Sequence, residues 1–367
     1  MICYMLMDLA RMKVRHVRLT IRRPCCDTGM RKAINLKPFN SIILPFVCIC
    51  GLPRVFLLAI FLSGTVNAQN FPVKPVRIIV PFPAGGSADF FSRLVAQKLS
   101  EGWKQQVIVD NRPGAATVIG TQFVARSPAD GHTILVMANS YTINASMRSN
   151  LPYDINKDFA PITQIVSSPN VIVVHPSVPA KTFKEFLALA RARPGSLNYS
   201  AVGPGATQHV AGEMLKIAAK IDMTYVPFAG GAPAVLAVLG GHVSVSIANI
   251  QEISTYVEAG KLRALAVTSR ERDPAIKNVP TVSESGLPDY AVITWWGFVA
   301  PAGTPADVIT KLSAETARVL KLPEVSAKLI SQGLYPTPST PAQFDAHIRS
   351  ETARYAKIVK EAGIRAD

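Results

Sequence analysis

Three glycine-bearing loops are the part of this sequence whose residue types point to chemistry. They occupy residues 82–89, 203–209 and 228–232, and each lies between a predicted strand and a predicted helix. Glycine lets a backbone approach a ligand closely, and the first N–H groups of a helix carry partial positive charge, so such loops suit a carboxylate or a phosphate. Tight turns with helix N-caps have the same composition, and this simpler interpretation stays open for each loop.

Two ionisable side chains follow these loops. Asp89 falls in the first turn of its predicted helix, where a negative charge favours the helix dipole, and it could also select a ligand amine. His209 could donate to an anion, although a lone histidine at a helix start is more often a surface or packing residue. We expect neither of them to be catalytic.

Motifs for nucleophilic, nucleotide or metal chemistry are missing from the sequence. It has no Gly-x-Ser-x-Gly elbow and no Gly-Lys-Ser/Thr phosphate loop, and Gln208 stands where the dinucleotide fingerprint needs its third glycine. The six histidines show no metal-ligand spacing. We predict a protein that is not an enzyme and has no metal and no cofactor. The alternative is a secreted α/β enzyme that acts on small acyl or phosphorylated metabolites.

The formal charge of +15 is unevenly distributed along the chain. The first 68 residues hold ten Lys and Arg against two Asp and Glu, which leaves 29 against 22, or +7, on the remainder. These remaining charges are scattered and form no basic stripe interleaved with aromatic residues. We therefore predict no nucleic-acid partner.

The N-terminal segment has the pattern of an export signal. An apolar run at residues 55–62 follows Arg54, and small residues at Val66 and Ala68 predict cleavage after about Ala68. Residues 1–68 are the predicted presequence, although Met30 is a better start because signal peptides run about 15–30 residues. Retention as a membrane anchor is the alternative. All five cysteines lie in this segment, so the exported chain has no disulfide framework.

Apolar patterns further along the chain alternate between strand and helix, which predicts two α/β layers with mostly parallel sheets. The predicted strands are residues 76–82, 106–110, 133–138, 197–202, 223–228, 243–248 and 262–268. The predicted helices are residues 87–99, 117–126, 181–193, 207–219, 232–239, 253–259, 305–320 and 341–362.

Two apolar stretches without an intervening helix, at 158–166 and 171–174, mark the first crossing between the predicted domains. We predict a first domain of residues 69–172 plus 290–367, to which the C-terminal helices return. The second domain comprises residues 173–289.

Several short stretches, taken together and in their order along the chain, form a specific family signature. Two of them are Pro-Phe-Pro-Ala-Gly-Gly-Ser-Ala-Asp at 81–89 and Trp-Gly-Phe-Val-Ala-Pro-Ala-Gly-Thr-Pro at 296–305. The others are residues 72–80, 110–115, 129–133, 151–154, 157–162, 205–213, 226–228 and 260–263. Together they resemble the Bug family of periplasmic solute-binding proteins, the extracytoplasmic receptors of tripartite tricarboxylate transporters. The resemblance implies an α/β, two-domain periplasmic-binding-protein fold of type II-like architecture, with the ligand cleft between the domains.

The resemblance also implies a function. The chain would be a monomeric receptor in the periplasm that captures a small carboxylate and delivers it to transporter membrane subunits. A receptor that feeds a signalling system is an alternative that the fold does not exclude. Tricarboxylates, dicarboxylates, amino acids and aromatic acids all stay open as ligands.

The resemblance implies that the loops at 82–89 and 203–209 hold one carboxylate through backbone N–H groups and waters, which agrees with the interpretation of the loops themselves. Ala206 stands where a serine is common, so this chain lacks that hydroxyl, and the neighbouring Thr207 offers another. The candidate ligand-binding residues are Phe82, Ala84, Gly85, Gly86, Ser87, Asp89, Asn139, Ser140, Gly203, Gly205, Ala206, Thr207, His209, Ala229, Gly230 and Asn249.

Overall fold

Strands and helices alternate along most of the chain in the computed structural model, which describes residues 71–148 and 150–364. The strands are β1 (Val76–Val80), β2 (Val107–Asn111), β3 (Thr133–Ala138), β4 (Phe159–Val174), β5 (Leu197–Val202), β6 (Met223–Phe228), β7 (Val245–Asn249), β8 (Arg263–Val267), β9 (Ile293–Pro301) and β10 (Tyr335–Pro336). The α-helices are α1 (Ser87–Trp103), α2 (Val118–Ala125), α3 (Asn139–Met147), α4 (Phe183–Ala192), α5 (Thr207–Ala219), α6 (Gly231–Leu239), α7 (Ile250–Glu258), α8 (Ala306–Leu320), α9 (Pro323–Ile330) and α10 (Pro341–Ala362).

The predicted presequence of residues 1–68, with its cleavage site and its cysteines, lies outside the described residues. Within the described ranges, none of the helices has both the length and the apolar character needed to cross a bilayer.

The strands form two sheets that share the long strand β4. The first sheet contains β1, β2, β3, β9 and β10 with residues 159–169 of β4, which pair with β9 and β10. The second sheet contains β5 to β8 with residues 170–174 of β4, which pair with β7 and β8. The chain therefore passes from one sheet to the other within a single strand, at Pro169 and Asn170.

The α/β class predicted from the sequence is confirmed, but the prediction of mostly parallel sheets is wrong at the centre. Pairing is parallel between β1 and its neighbours β2 and β3, and between β5 and its neighbours β6 and β7. The central strands β4 and β9 run antiparallel to their partners. The reason is that β9 returns to the first sheet from the second, a long-range pairing that local patterns do not contain.

The chain after β9 packs on the first sheet, as its predicted return requires. Helix α8 packs on α1 and β4, and α10 packs on α3 and β4 while also touching α5 of the second sheet. The predicted domain boundaries at residues 172 and 290 stay a prediction. The strand pairing itself changes sheets at residue 170.

The side chains of β9 alternate between two hydrophobic cores on the two faces of the first sheet. Trp296 and Phe298 pack into one core, where the ring of Trp296 lies 5.7 Å from that of Phe91. Trp295 belongs to the other core and meets Phe344 of α10 edge to face at 5.7 Å. This alternation, which is the period of an extended strand, directs the two adjacent tryptophans to opposite faces.

A buried threonine joins the two segments that cross between the sheets. The Thr268 hydroxyl accepts from the Asn170 N–H at 2.9 Å and donates to the Val292 carbonyl at 2.6 Å. The backbone of Thr268 bonds the same two residues, and all three are buried. The crossing is thus fixed by hydrogen bonds that are shielded from water.

We predict that Thr268→Val lowers the free energy of unfolding by about 1–3 kcal/mol, because valine keeps the shape but leaves a buried N–H and a buried carbonyl without a partner. Urea denaturation measures the change. Thr310→Val, at an exposed position of α8, serves as the control. Equal stability of the Thr268 variant and the wild type would contradict this account of the crossing.

Candidate functional site

A cavity that is partly open to solvent lies at the carboxyl ends of strands from both sheets. Its lining comes from the loops after β1 and β3 of the first sheet, from those after β5, β6 and β7 of the second sheet, and from β9. Loops at the carboxyl ends of strands are where open α/β sheets bind ligands.

Five helices begin at this cavity. Residues of the first turn or the N-cap of α1, α3, α5, α6 and α7 line it, namely Ser87, Ser140, Thr207, Gly231 and Asn249. The first N–H groups of a helix have no partner within the helix and carry partial positive charge. The cavity is therefore surrounded by backbone donors that suit an anion.

Cationic side chains do not contribute to the lining. Among the described residues that form it there is no Lys, Arg or His, and the ionisable group present is the carboxyl of Glu252. An anion in this cavity would be held by backbone N–H groups, hydroxyls and amides rather than by an ion pair.

Neutral side chains offer further hydrogen bonds. Ser140, Thr207 and Gln208 are each about 95% buried or more, and all three line the cavity. The two hydroxyls and the amide form no hydrogen bond within residues 71–148 and 150–364. They are free to bind a ligand.

The loop before α1 is held by the helix that follows it. Gly85 has a φ of +87°, a left-handed conformation that favours glycine. Its N–H donates to Asp89 Oδ2 at 3.1 Å, and both oxygens of Asp89 accept from Arg93 at 3.0 Å. Although burial raises the pKa of Asp89, hydrogen bonds from Arg93, Gly85 and Asn111 bring it below its ordinary value. Asp89 is an anionic cap that shapes the loop, so its predicted capping role has a structural basis.

The loop before α5 has the same construction. Gly205 has a φ of +85°, and its N–H points at Nδ1 of His209, four residues further on, at 3.5 Å. The imidazole stacks on the ring of Tyr225 at a centroid distance of 4.1 Å. Burial lowers the pKa of His209 to about 4, so the ring is neutral at physiological pH and offers no charge to an anion.

Nine of the sixteen candidate residues line the cavity. These are Phe82, Ala84, Gly86, Ser87, Ser140, Ala206, Thr207, Gly230 and Asn249. The structure places the remaining candidates outside the lining: Gly85, Asp89, Asn139, Gly203, Gly205, His209 and Ala229.

Asn139 connects the first turn of α3 to β9 and α10 by hydrogen bonds. Its Oδ1 accepts from the Trp295 N–H at 2.8 Å, and its Nδ2 donates to the Tyr355 hydroxyl at 3.0 Å. Glu351 accepts from the Trp295 indole in the same buried network. Trp295 is thus a packing residue, whereas Trp296 lines the cavity.

Glu252 lines the cavity and was missed by the sequence analysis. Its Oε2 accepts from the Asn249 N–H at 3.2 Å, and its Oε1 lies 3.5 Å from both the N–H and the hydroxyl of Ser87. Burial raises the pKa of this carboxyl. Asn at the N-cap with Glu three residues later is a capping-box signature that the sequence does contain. The contact with Ser87, 165 residues away, is not visible in it.

Within the residues that the structure describes, no three His, Cys, Asp or Glu side chains are grouped so that they could hold a metal ion.

Comparisons with known proteins identify a family and several similar structures. A family model described as "Tripartite tricarboxylate transporter family receptor" matches residues 91–364. Protein BugT of Bordetella pertussis is 32% identical over 313 residues, which cover 85% of this chain and 96% of BugT.

Solved structures are similar as well. R. palustris Rpa4515 with adipate has a TM-score of 0.79 and 33% identity, over 81% of this chain and 99% of that chain. MatC from Rhodopseudomonas palustris with bound malate has a TM-score of 0.75 and 29% identity, over 79% of this chain and all of that chain.

We predict that His209 makes stability fall in mild acid. The unfolded chain takes up a proton on this residue below about pH 6.5, whereas the folded protein does so only near pH 4. The free energy of unfolding therefore decreases as the pH falls from about 6.5 to about 4, and the decrease reaches about 3 kcal/mol near pH 4. His209→Phe keeps a ring against Tyr225 and should lose this dependence. Urea denaturation of both proteins between pH 7.5 and 4 measures it, and a stability difference that does not change with pH would contradict the prediction.

Proposed function

This chain belongs to the tripartite tricarboxylate transporter receptor family, and we propose that it captures a small carboxylate in the cavity between its two sheets. The observation that carries the proposal is the convergence of five helix N-termini on a cavity without a cationic lining residue. Such an arrangement binds a carboxylate through N–H groups that the fold itself orients. The similar structures that hold adipate and malate support the same ligand class.

Thr207 and Gln208 supply the donors on the second sheet. They are the first two residues of α5, where the backbone N–H groups have no partner in the helix, and their side chains face the cavity. On the first sheet the corresponding donors are in the loop that ends at Gly86 and Ser87. The carboxylate lies between these two loops. Asp89 and His209 fix the loop conformations by accepting the N–H groups of Gly85 and Gly205 outside the cavity lining.

Closure of the two sheets on the ligand would complete the site. Loops from the two sheets already touch, because a Cβ atom on Gly230 would lie 2.9 Å from Pro83. The Ser87 hydroxyl donates to the Gln251 side chain at 3.2 Å across the same gap. A carboxylate that binds donors of both loops favours the closed arrangement, since a ligand shifts such an equilibrium by its difference in affinity for the two states.

We further propose that the protein acts in the periplasm as a monomer, releases its ligand unchanged and presents it to the membrane subunits of a transporter. This assignment rests on the family and on a cavity whose described lining supplies hydrogen-bond donors for a carboxylate.

A thermal-shift screen against small carboxylates, amines and sugars tests the ligand class. A ligand at 100 times its dissociation constant stabilises the folded protein by roughly 2.7 kcal/mol, so a true ligand raises the melting temperature measurably. We expect carboxylates to be the compounds that do so. A protein that is stabilised by sugars or amines alone, or that consumes the carboxylate, would refute the proposal.

Thr207→Val tests the site. Valine has nearly the same shape but no hydroxyl, so the dissociation constant of the best carboxylate should rise about 10- to 100-fold, which is the effect of losing one hydrogen bond to a charged group. Titration calorimetry measures it. Thr224→Val, at an exposed position of β6, is the matched control and should bind as the wild type does. An unchanged affinity in the Thr207 variant would remove this residue from the site.

A further inference from the structure

The cavity proposed to hold a carboxylate also contains a carboxyl group of the protein. Glu252 accepts from the N–H at the start of α7 and lies next to Ser87 at the start of α1. It also covers the start of α6, because a Cβ atom on Gly231 would overlap its carboxyl group. Residues at three of the helix N-termini that face the cavity therefore lie next to Glu252.

Glu252 has no cationic partner. Among the described residues no Lys, Arg or His lines the cavity, and the ion pairs of these residues do not involve Glu252. Glu252 is partly buried, and a carboxylate partly removed from water without a counter-ion is unfavourable, which is why burial raises its pKa. Helix N-termini compensate part of this effect. A cation from the ligand would compensate the rest.

Asn249 supplies a second, independent observation. It is 2% exposed, lines the cavity, and takes the N-cap position of a capping box with Glu252. Within that box its side chain faces the Glu252 N–H, but its Oδ1 forms no hydrogen bond of standard geometry within residues 71–148 and 150–364. The start of α7 thus presents two hydrogen-bond acceptors to the cavity, while the start of α5 presents donors at Thr207 and Gln208.

A ligand that has both a hydrogen-bond donor group and a carboxylate would match the acceptors at the start of α7 and the donors at the start of α5. A plain dicarboxylate would bring two negative charges to a cavity that already has the carboxyl of Glu252 and no cation. A zwitterion would place its carboxylate at the N-terminus of α5 and its ammonium group at Glu252. Asp89, which the sequence offered as the partner of a ligand amine, is already bound to Arg93 and outside the lining.

We propose that Glu252, assisted by Asn249, is the specificity-determining residue of this cavity and selects carboxylates that also carry an ammonium group, the chemistry of an amino acid. The inference rests on the proposed function, since it names the class of carboxylate that the receptor takes.

Matched pairs of ligands test the inference on the wild-type protein. Titration calorimetry at pH 7.5 compares succinate with aspartate, glutarate with glutamate, adipate with 2-aminoadipate, and hydrocinnamate with phenylalanine. Each pair differs by one ammonium group. We expect the amino member of the best pair to bind at least about ten times more tightly, because a hydrogen-bonded charge pair replaces an unpaired carboxylate.

Glu252→Gln then identifies the group responsible. It keeps the size of the side chain and one acceptor oxygen but removes the charge, so the affinity for the amino member should fall by about 10- to 100-fold. The affinity for the plain carboxylate should stay or improve. Glu258→Gln, an exposed position at the end of the same helix, removes the same charge and should change neither affinity.

The outcomes separate this inference from the proposed function. If the plain carboxylates bind the wild type as tightly as their amino partners, the role of Glu252 is refuted while the carboxylate receptor stands. If no member of any pair binds, the carboxylate receptor itself is refuted, and the inference falls with it. The wild-type comparison decides between these outcomes even if the Glu252 variant does not fold.

Discussion

A carboxylate can be buried without a cationic partner only if several N–H donors are directed at it, and this constraint accounts for the architecture. Each sheet contributes helices whose N-termini lie at the carboxyl ends of its parallel strands. Neither sheet alone surrounds a ligand. The passage of β4 from one sheet to the other, with the return of β9, brings both sets of N-termini to one cavity. The buried hydrogen bonds of Thr268 hold that crossing.

The loops before α1 and α5 have the same backbone construction but use different acceptors for the glycine N–H. Each has a left-handed glycine two residues before its helix, and the third residue of the helix accepts the N–H of that glycine. In the first loop the acceptor is the carboxylate of Asp89, and in the second it is the neutral imidazole of His209. Both acceptors bind the N–H of their glycine and lie outside the cavity lining, so they shape the loops without occupying the cavity.

Local patterns in the sequence predict most of the elements, because strands such as β3 and helices such as α5 have clear apolar periods. Helix α3 was missed because its segment, Asn139–Met147, is polar and has no apolar face, although six of its residues are buried. The glycine loops predict an anion-binding cavity. They do not reveal which side chains turn toward it, and the contact between Glu252 and Ser87 depends on the meeting of two sheets far apart in sequence.

The central claim is that backbone and neutral donors at the helix N-termini bind the carboxylate. A crystal structure of the protein with the tightest-binding small carboxylate tests it most directly. The account predicts carboxylate oxygens within about 3.2 Å of the backbone nitrogens at the starts of α1 and α5. A carboxylate bound instead to a lysine or arginine, away from these helix starts, would contradict it.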